Sequence, residues 1–179
     1  VYESKAKIKV LEKQEASLEF PSAQDFFSNN AINLENEIEV INSYPIIYDV
    51  VNNLNLQISV YSIGKIRNTL VIDYPFNIKL RVQKKDLINS KFKLSIISDG
   101  FEIENLDTDE KLKFTGNNSN NQKHNLPFDI TNLEKNKFKT LNISSYYIQL
   151  KTSLQAVQEV KNSLKTTPVG KESEIIEIS

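Results

Sequence analysis

The feature that most limits the fold of this chain is a change of hydrophobic period along it. From position 34 to 54 apolar residues recur at spacings of three and four, the mark of one helix face. From Leu56 to Leu150 β-branched and aromatic residues dominate, and after Ser153 the helical spacing returns. Helices at both ends of a strand-rich middle predict an α+β fold, because a chain of βαβ units would alternate throughout. The expected architecture is a mixed sheet packed against helices. Its base takes residues 1–70 and 149–179, and a β-rich insertion takes residues 71–148.

Within that frame the local signals are specific. Tyr2, Ser4, Ala6, Ile8 and Val10 alternate with Glu3, Lys5, Lys7 and Lys9, a strand with one face to the core and one to water. Residues 12–30, with Pro21, the Asn29-Asn30 pair and Phe20, Phe26 and Phe27, read as a connector. Asn33 stands where a cap would, ahead of Leu34, Ile38 and Ile41, with Glu35 and Glu37 in the first turn where the helix dipole favours them. Ser43-Tyr44-Pro45 breaks that helix, and Pro45 suits the first turn of a second one through Ile46, Ile47, Val50, Val51 and Leu54.

Strand character follows at Ile58, Val60 and Tyr61, then at Phe76, Ile78, Leu80 and Val82. Folding Phe92–Glu104 about Asp99-Gly100 puts Phe92, Leu94, Ile96, Phe101 and Ile103 on one face, with Lys93, Ser95, Ile97, Glu102 and Glu104 on the other. A short strand is expected over Lys111–Phe114, an exposed loop over Thr115–Asn125, and a strand from Phe138 to Leu150. Ser153 is placed to cap a last helix lined by Leu154, Val157, Val160 and Leu164. Thr166-Thr167-Pro168 ends it, and residues 173–179 form a closing strand expected beside strand 2–10 in one sheet. No internal repeat of solenoid length is present.

Composition narrows the function classes. The 179 residues carry a formal net charge of −1, so no global field draws nucleic acid. No apolar run approaches the roughly 20 residues that cross a bilayer, so any membrane contact is expected through segments outside this stretch. With no Met at any position, the chain is expected to be a processed form or an excised piece of a longer protein. With no Cys, disulfides, thiol catalysis and Cys-ligated zinc are excluded.

Searches for catalytic and ligand motifs end in structural readings. Pro168-Val169-Gly170-Lys171-Glu172-Ser173 has the Gly-Lys step of a phosphate loop, but Lys165 stands at the earlier glycine position and Glu172 where Ser or Thr should follow the lysine. An EF-hand starting at Asp107 would need glycine and glutamate where Leu112 and Asn118 stand, so Glu102, Glu104, Asp107, Asp109 and Glu110 read as a solvated hairpin end. The basic stretch Lys79, Arg81, Lys84, Lys85, Lys91 and Lys93 reads as its cross-strand complement, with a polyanion patch as the minor reading.

His124, the single histidine, rules out a multi-histidine metal site and reads as an exposed loop residue. Tyr146-Tyr147 puts adjacent rings on opposite strand faces, which reads as core packing with one solvated Tyr, a stacking platform for a sugar or a protein being the minor reading. Asn117 and Asn142 head Asn-x-Ser sequons, as chance provides in so Asn-rich a chain. No catalytic, metal or cofactor residue is assigned, and the stretch reads as non-enzymatic.

Taken in order, several segments resemble the periplasmic region of polysaccharide co-polymerases, the Wzz/Wzc-type chain-length determinants and exopolysaccharide tyrosine autokinases. Tyr-Glu-Ser-Lys-Ala-Lys-Ile-Lys-Val (2–10) resembles the family's strand after its first transmembrane helix. Leu-Glu-Asn-Glu-Ile-Glu-Val-Ile-Asn-Ser (34–43) with Val-Val-Asn-Asn-Leu-Asn-Leu (50–56) is similar to its paired helices. Asp-Tyr-Pro-Phe-Asn-Ile-Lys-Leu (73–80) looks like the start of the β-rich insertion of the larger members. Gly-Lys-Glu-Ser-Glu-Ile-Ile-Glu-Ile-Ser (170–179) resembles the strand before a coiled coil. Residues 84–140 share only β character.

The resemblance implies a periplasmic scaffold of an inner-membrane protein that regulates the length and export of capsular, exo- or O-antigen polysaccharide. It implies a homo-oligomer in the full protein, with the polymerase and export machinery, and the polysaccharide itself, as partners. The family's transmembrane spans, coiled coil and cytoplasmic kinase domain with its nucleotide loop are absent from the 179 residues, so no kinase activity is expected of them. The competing readings are a carbohydrate-binding β-domain of another envelope protein and an enzyme using a carboxylate pair.

Overall fold

A computed structural model describes residues 4–10, 34–64, 66–170 and 175–179. Tyr2 of the opening strand, the 12–30 connector, the Asn33 cap and Lys171, Glu172 and Ser173 lie outside the described residues. The chain is α+β, as the change of period implies. It divides into two compact units, residues 1–49 with 159–179, and residues 50–158. These boundaries differ from 70/71 and 148/149 because Ile58–Ser62 (β2) pairs with Ser145–Leu150 (β9), so both strands belong to the β-rich unit.

In the first unit Ala6–Lys9 (β1), Thr166–Pro168 (β10) and Ile175–Ile178 (β11) form a sheet in the order β1-β11-β10, antiparallel throughout. The opening and closing strands are thus neighbours, with Ala6 opposite Ile178 and Lys7 opposite Glu177. The expected core-facing side of β1 does not form among the described residues: all four of its residues are exposed, Ile8 included, and the buried apolar side chain of this ladder is Ile176 opposite it. At this edge of the sheet, Lys7 of β1 and Lys5 just before it bridge to Glu177.

Leu34–Ile41 (α1) turns Leu34, Ile38 and Ile41 half inward. Near its end, the Asn42 side chain donates to the Ile38 carbonyl and to the Thr166 hydroxyl of β10. Pro45 lies in the first turn of Tyr44–Asn53 (α2), where a missing amide hydrogen costs nothing. The turn after it contains Asn55, whose φ of 54° is the left-handed conformation that asparagine tolerates.

The second unit holds a six-stranded sheet in the order β3-β2-β9-β5-β6-β7. Its other strands are Thr69–Val71 (β3), Ser90–Ile97 (β5), Gly100–Asn105 (β6) and Lys111–Thr115 (β7). Asn77–Leu80 (β4) and Phe128–Thr131 (β8) form a separate two-stranded ribbon. Among the described residues every ladder is antiparallel, where the sequence reading has a mixed sheet. The β5-β6-β7 strands follow one another through short turns, and parallel pairing would need crossovers of a dozen residues or more.

The β5–β6 hairpin has the expected faces, but its turn is Ser98-Asp99 and Gly100 already pairs with Ile97. A Cβ on Gly100 would lie 1.7 Å from the Phe114 carbonyl oxygen, so glycine serves the close approach of β7 and not the turn. One face of the sheet is dry: Phe92, Leu94, Phe101, Ile103, Tyr146, Ile148 and Leu150 join Phe76, Phe128, Ile130 and Phe138 in the core. Each such side chain stabilises the fold by about 1.5–3 kcal/mol on burial.

Two helix expectations are corrected. The strand expected from Phe138 starts only at Ser145, because Lys135–Leu141 (α3) is helical, buries Phe138, and is closed by Asn142 at φ 53°. In Ser153–Ser163 (α4) the cap is Thr152, whose hydroxyl accepts the Gln155 amide at 3.2 Å. Its buried residues are Ala156 and Val157, and Leu154 is exposed.

Candidate functional site: a tyrosine pair and a polar cavity on the open sheet face

The strands of the six-stranded sheet expose alternate residues on the face opposite the core. One row of that face is fixed by register alone: Leu70, Tyr61, Tyr147, Lys93, Glu104 and Lys111 stand opposite one another from β3 to β7. Tyr146 points the other way and is fully buried, while Tyr147 and Tyr61 are half-buried, with ring centroids 5.6 Å apart and planes tilted by 57°. The two adjacent tyrosines do lie on opposite faces of the strand, and it is the register that shows Tyr146 to be the core residue.

Beside this row run Gln149 and Lys91, opposite each other on β9 and β5. They line a polar cavity of about 380 Å³ together with Asp107 and Gln155. Asp107 is held by the Lys91 amide, which donates to its Oδ2 at 2.9 Å. Burial raises the Tyr147 phenol pKa, and Tyr61 and then Asp107 raise it further. The surface thus brings two rings, a primary amide and a lysine on β2, β9 and β5 near a carboxylate from the turn after β6.

His124 is corrected from exposed to buried: only 1% of its side chain is accessible. Arg81 Nη1 lies 3.2 Å from His124 Nδ1, and the Leu126 amide lies 3.3 Å from the same atom. Both are pure donors, so Nδ1 accepts, and Nε2–H donates to Asp129 Oδ1 at 3.0 Å. The Phe114 ring meets the imidazole edge to face. Ser119 completes a Ser, His, Asp set in the wrong order. Its hydroxyl accepts the Ile130 amide at 2.9 Å and lies 3.4 Å from Asp129 Oδ1 and from the Ile130 carbonyl, while the His124 Nε2 is turned to Asp129, so the set lacks the serine–histidine contact of a triad. This network ties the 115–125 loop to β8.

The other residues singled out by sequence do not converge. Lys84 donates to the Asn52 carbonyl, Arg81 also donates to the His124 carbonyl, and Lys91 and Lys93 stand on the sheet face, so the basic stretch forms no single patch. Glu104 and Glu102 bridge to Lys111 and Lys113 on β7 at 3.1 and 3.9 Å. Asn117 and Asn142 are exposed in separate turns. Among the described residues no three His, Asp or Glu side chains gather as a metal site, and no helix is long and apolar enough to cross a membrane.

Compared with known proteins, the chain matches no family model and no curated sequence.

Proposed function

We propose that this chain is a periplasmic scaffold domain of an inner-membrane polysaccharide co-polymerase, acting through assembly to regulate polysaccharide length and export. The observation that carries the reading is the pairing of the opening with the closing strand, Ala6 opposite Ile178. A unit whose ends meet can be set into a membrane-anchored protein at one point. The order of elements supports it too: opening strand, two helices, β-rich unit, helix and closing strand follow the sequence resemblance step by step.

Assembly also needs a surface. Val40, Tyr44 and Ile46, on α1 and α2, are apolar and between 43% and 53% exposed. Exposed apolar groups on neighbouring turns are the raw material of subunit contacts. Weak contacts suffice where anchoring raises the local concentration of copies.

The test is a gel of surface polysaccharide from cells whose full protein carries Val40→Glu, Ile46→Glu or the charge reversal Glu39→Lys. The length distribution is expected to shift while the melting curve of the domain stays put, since surface changes alter stability by only about 0.5 kcal/mol. An unchanged length profile for every folded variant, or glycan hydrolysis by the purified chain that a single carboxylate substitution abolishes, would defeat the reading.

A further inference from the structure

We infer that the β3 edge of the six-stranded sheet is a docking site for an extended peptide of a partner protein, one with apolar side chains at alternate positions and an acidic residue. The site goes beyond the assembly role and does not depend on it.

Register fixes which backbone groups of β3 are free. Strand β2 lies between β3 and β9, and in antiparallel ladders its alternate residues exchange hydrogen bonds with one neighbour and then the other. The Ile63 amide donates to the Ser145 carbonyl at 3.2 Å and the Lys151 amide to the Gln57 carbonyl at 2.9 Å, so the odd-numbered residues of β2 bond to β9. The even-numbered ones bond to β3, which makes Val60 with Val71 and Ser62 with Thr69 the hydrogen-bonded pairs. Leu70, opposite Tyr61, therefore turns its amide hydrogen and carbonyl outward, where no further strand of the sheet follows. Unmet groups of this kind are what a strand-adding peptide pairs with.

The two edges of this sheet are guarded differently. On β7, Lys111 and Lys113 stand in ion pairs with Glu104 and Glu102, a charged edge that discourages pairing. Strand β3 carries no charge: Thr69, Leu70 and Val71 run into Ile72, and Leu70 is 58% and Ile72 95% exposed. Beside this edge lies a pocket of about 580 Å³ lined by Val71, Ile58, Ile78 and Leu80. Side chains of an added strand that share the face of Val71 would enter it, as alternate residues of a strand do.

Charge selects the peptide. Lys79 and Lys84 line the same pocket and no described Asp or Glu does. Lys84 is tied to the Asn52 carbonyl, whereas Lys79 stands exposed on β4, so an acidic residue in the peptide answers it. Residues 66–72 hold Arg67 and no acid, so a second copy pairing through its own β3 would add like charge to the rim.

The test titrates the full chain with a synthetic peptide, acetyl-Glu-Val-Thr-Ile-Thr-Val-Ser-amide, read by amide shift mapping and hydrogen exchange. On binding, the Leu70 amide is expected to gain protection, while those of Thr69 and Val71, already in the β2 ladder, change little. N-methylation of one alternate set of peptide amides should abolish binding, and of the other set should leave it within a factor of about two, because a strand pairs through one edge at a time. Lys79→Glu should weaken binding about threefold and favour the peptide with lysine in place of glutamate. Leu70→Pro removes the outward amide hydrogen at an edge that tolerates proline and should weaken binding about fivefold. If that variant unfolds, the two N-methylated peptides decide in its place. No binding of the peptide, no protection at Leu70, equal loss from both N-methylated sets, an unchanged charge preference in Lys79→Glu, or pairing of the chain with its own copy through β3 would each overturn the inference.

Discussion

Replacing Gly100 by alanine tests the packing of the β-rich unit at one atom. The new Cβ would lie 1.7 Å from the Phe114 carbonyl oxygen, 2.8 Å from its carbon and 3.0 Å from the Thr115 Cα, all backbone atoms that cannot rotate away. To admit it, β7 must retreat by well over an ångström from β6 at the Gly100–Thr115 end of the ladder, where Phe101 and Phe114 stack with centroids 5.1 Å apart. Overpacking a rigid site costs about 1–3 kcal/mol, and one ladder hydrogen bond lost adds about 1 kcal/mol, so Gly100→Ala should destabilise by about 2–4 kcal/mol.

Gly116 supplies the control, because it has φ +77° and nothing within 4 Å of an added Cβ. Gly116→Ala should cost only the left-handed penalty of about 1–2 kcal/mol. Urea unfolding compares the two variants, and hydrogen exchange at the β6 and β7 amides localises the damage without assuming that both units unfold together. A Gly100→Ala cost no greater than that of Gly116→Ala, or unchanged exchange along β7, would refute the close-approach argument.

Two further predictions concern buried polar groups. His124→Ala removes the acceptor for Arg81 and the donor to Asp129, and should destabilise by about 3 kcal/mol, against about 1 kcal/mol for Arg81→Ala on the exposed side, as read by denaturant titration. Burial raises the phenol pKa of Tyr74, of Tyr146 with Asp73 adding, and of Tyr147. The folded state therefore keeps these protons longer than the unfolded one, and the stability they contribute is full below about pH 10 and lost as pH rises through the folded values. Phenolate absorbance should show tyrosines ionising later in folded than in urea-unfolded protein, and coincident titrations would contradict this.

The sequence made the α+β class and the hairpin faces legible because both depend on hydrophobic period, which a single chain carries within itself. Gly100 shows where that stops. The dipeptide Asp99-Gly100 is a good turn, yet the contact that requires glycine comes from Phe114, and only the pairing of β6 with β7 reveals it. Residues 138–141 carry Phe, Thr and Leu that suit a strand, and tertiary burial of Phe138 within a helix overrides that preference.

The candidate site was half visible. Strand alternation separates Tyr146 from Tyr147 without saying which faces solvent, and Tyr61 lies 86 positions away in number and meets Tyr147 only through the β2–β9 register. His124 was misplaced because an Asn-rich loop reads as solvated, and nothing in its neighbours announces that Asp129 and Arg81 will hold the ring inside.

The meeting of the opening and closing strands carries the scaffold reading, and the absence of cysteine makes that meeting measurable. Lys7→Cys with Glu177→Cys places two thiols on residues directly opposite across an antiparallel ladder, at a Cα separation of about 4.5–5.5 Å that a disulfide spans without strain. Mild oxidation followed by mass spectrometry should give a nearly complete intramolecular disulfide in the folded chain, and much less in the shifted pair Lys7→Cys with Ile175→Cys. Equal cross-linking of the two pairs, or none in either, would contradict the terminal pairing and remove the geometric support for the scaffold reading.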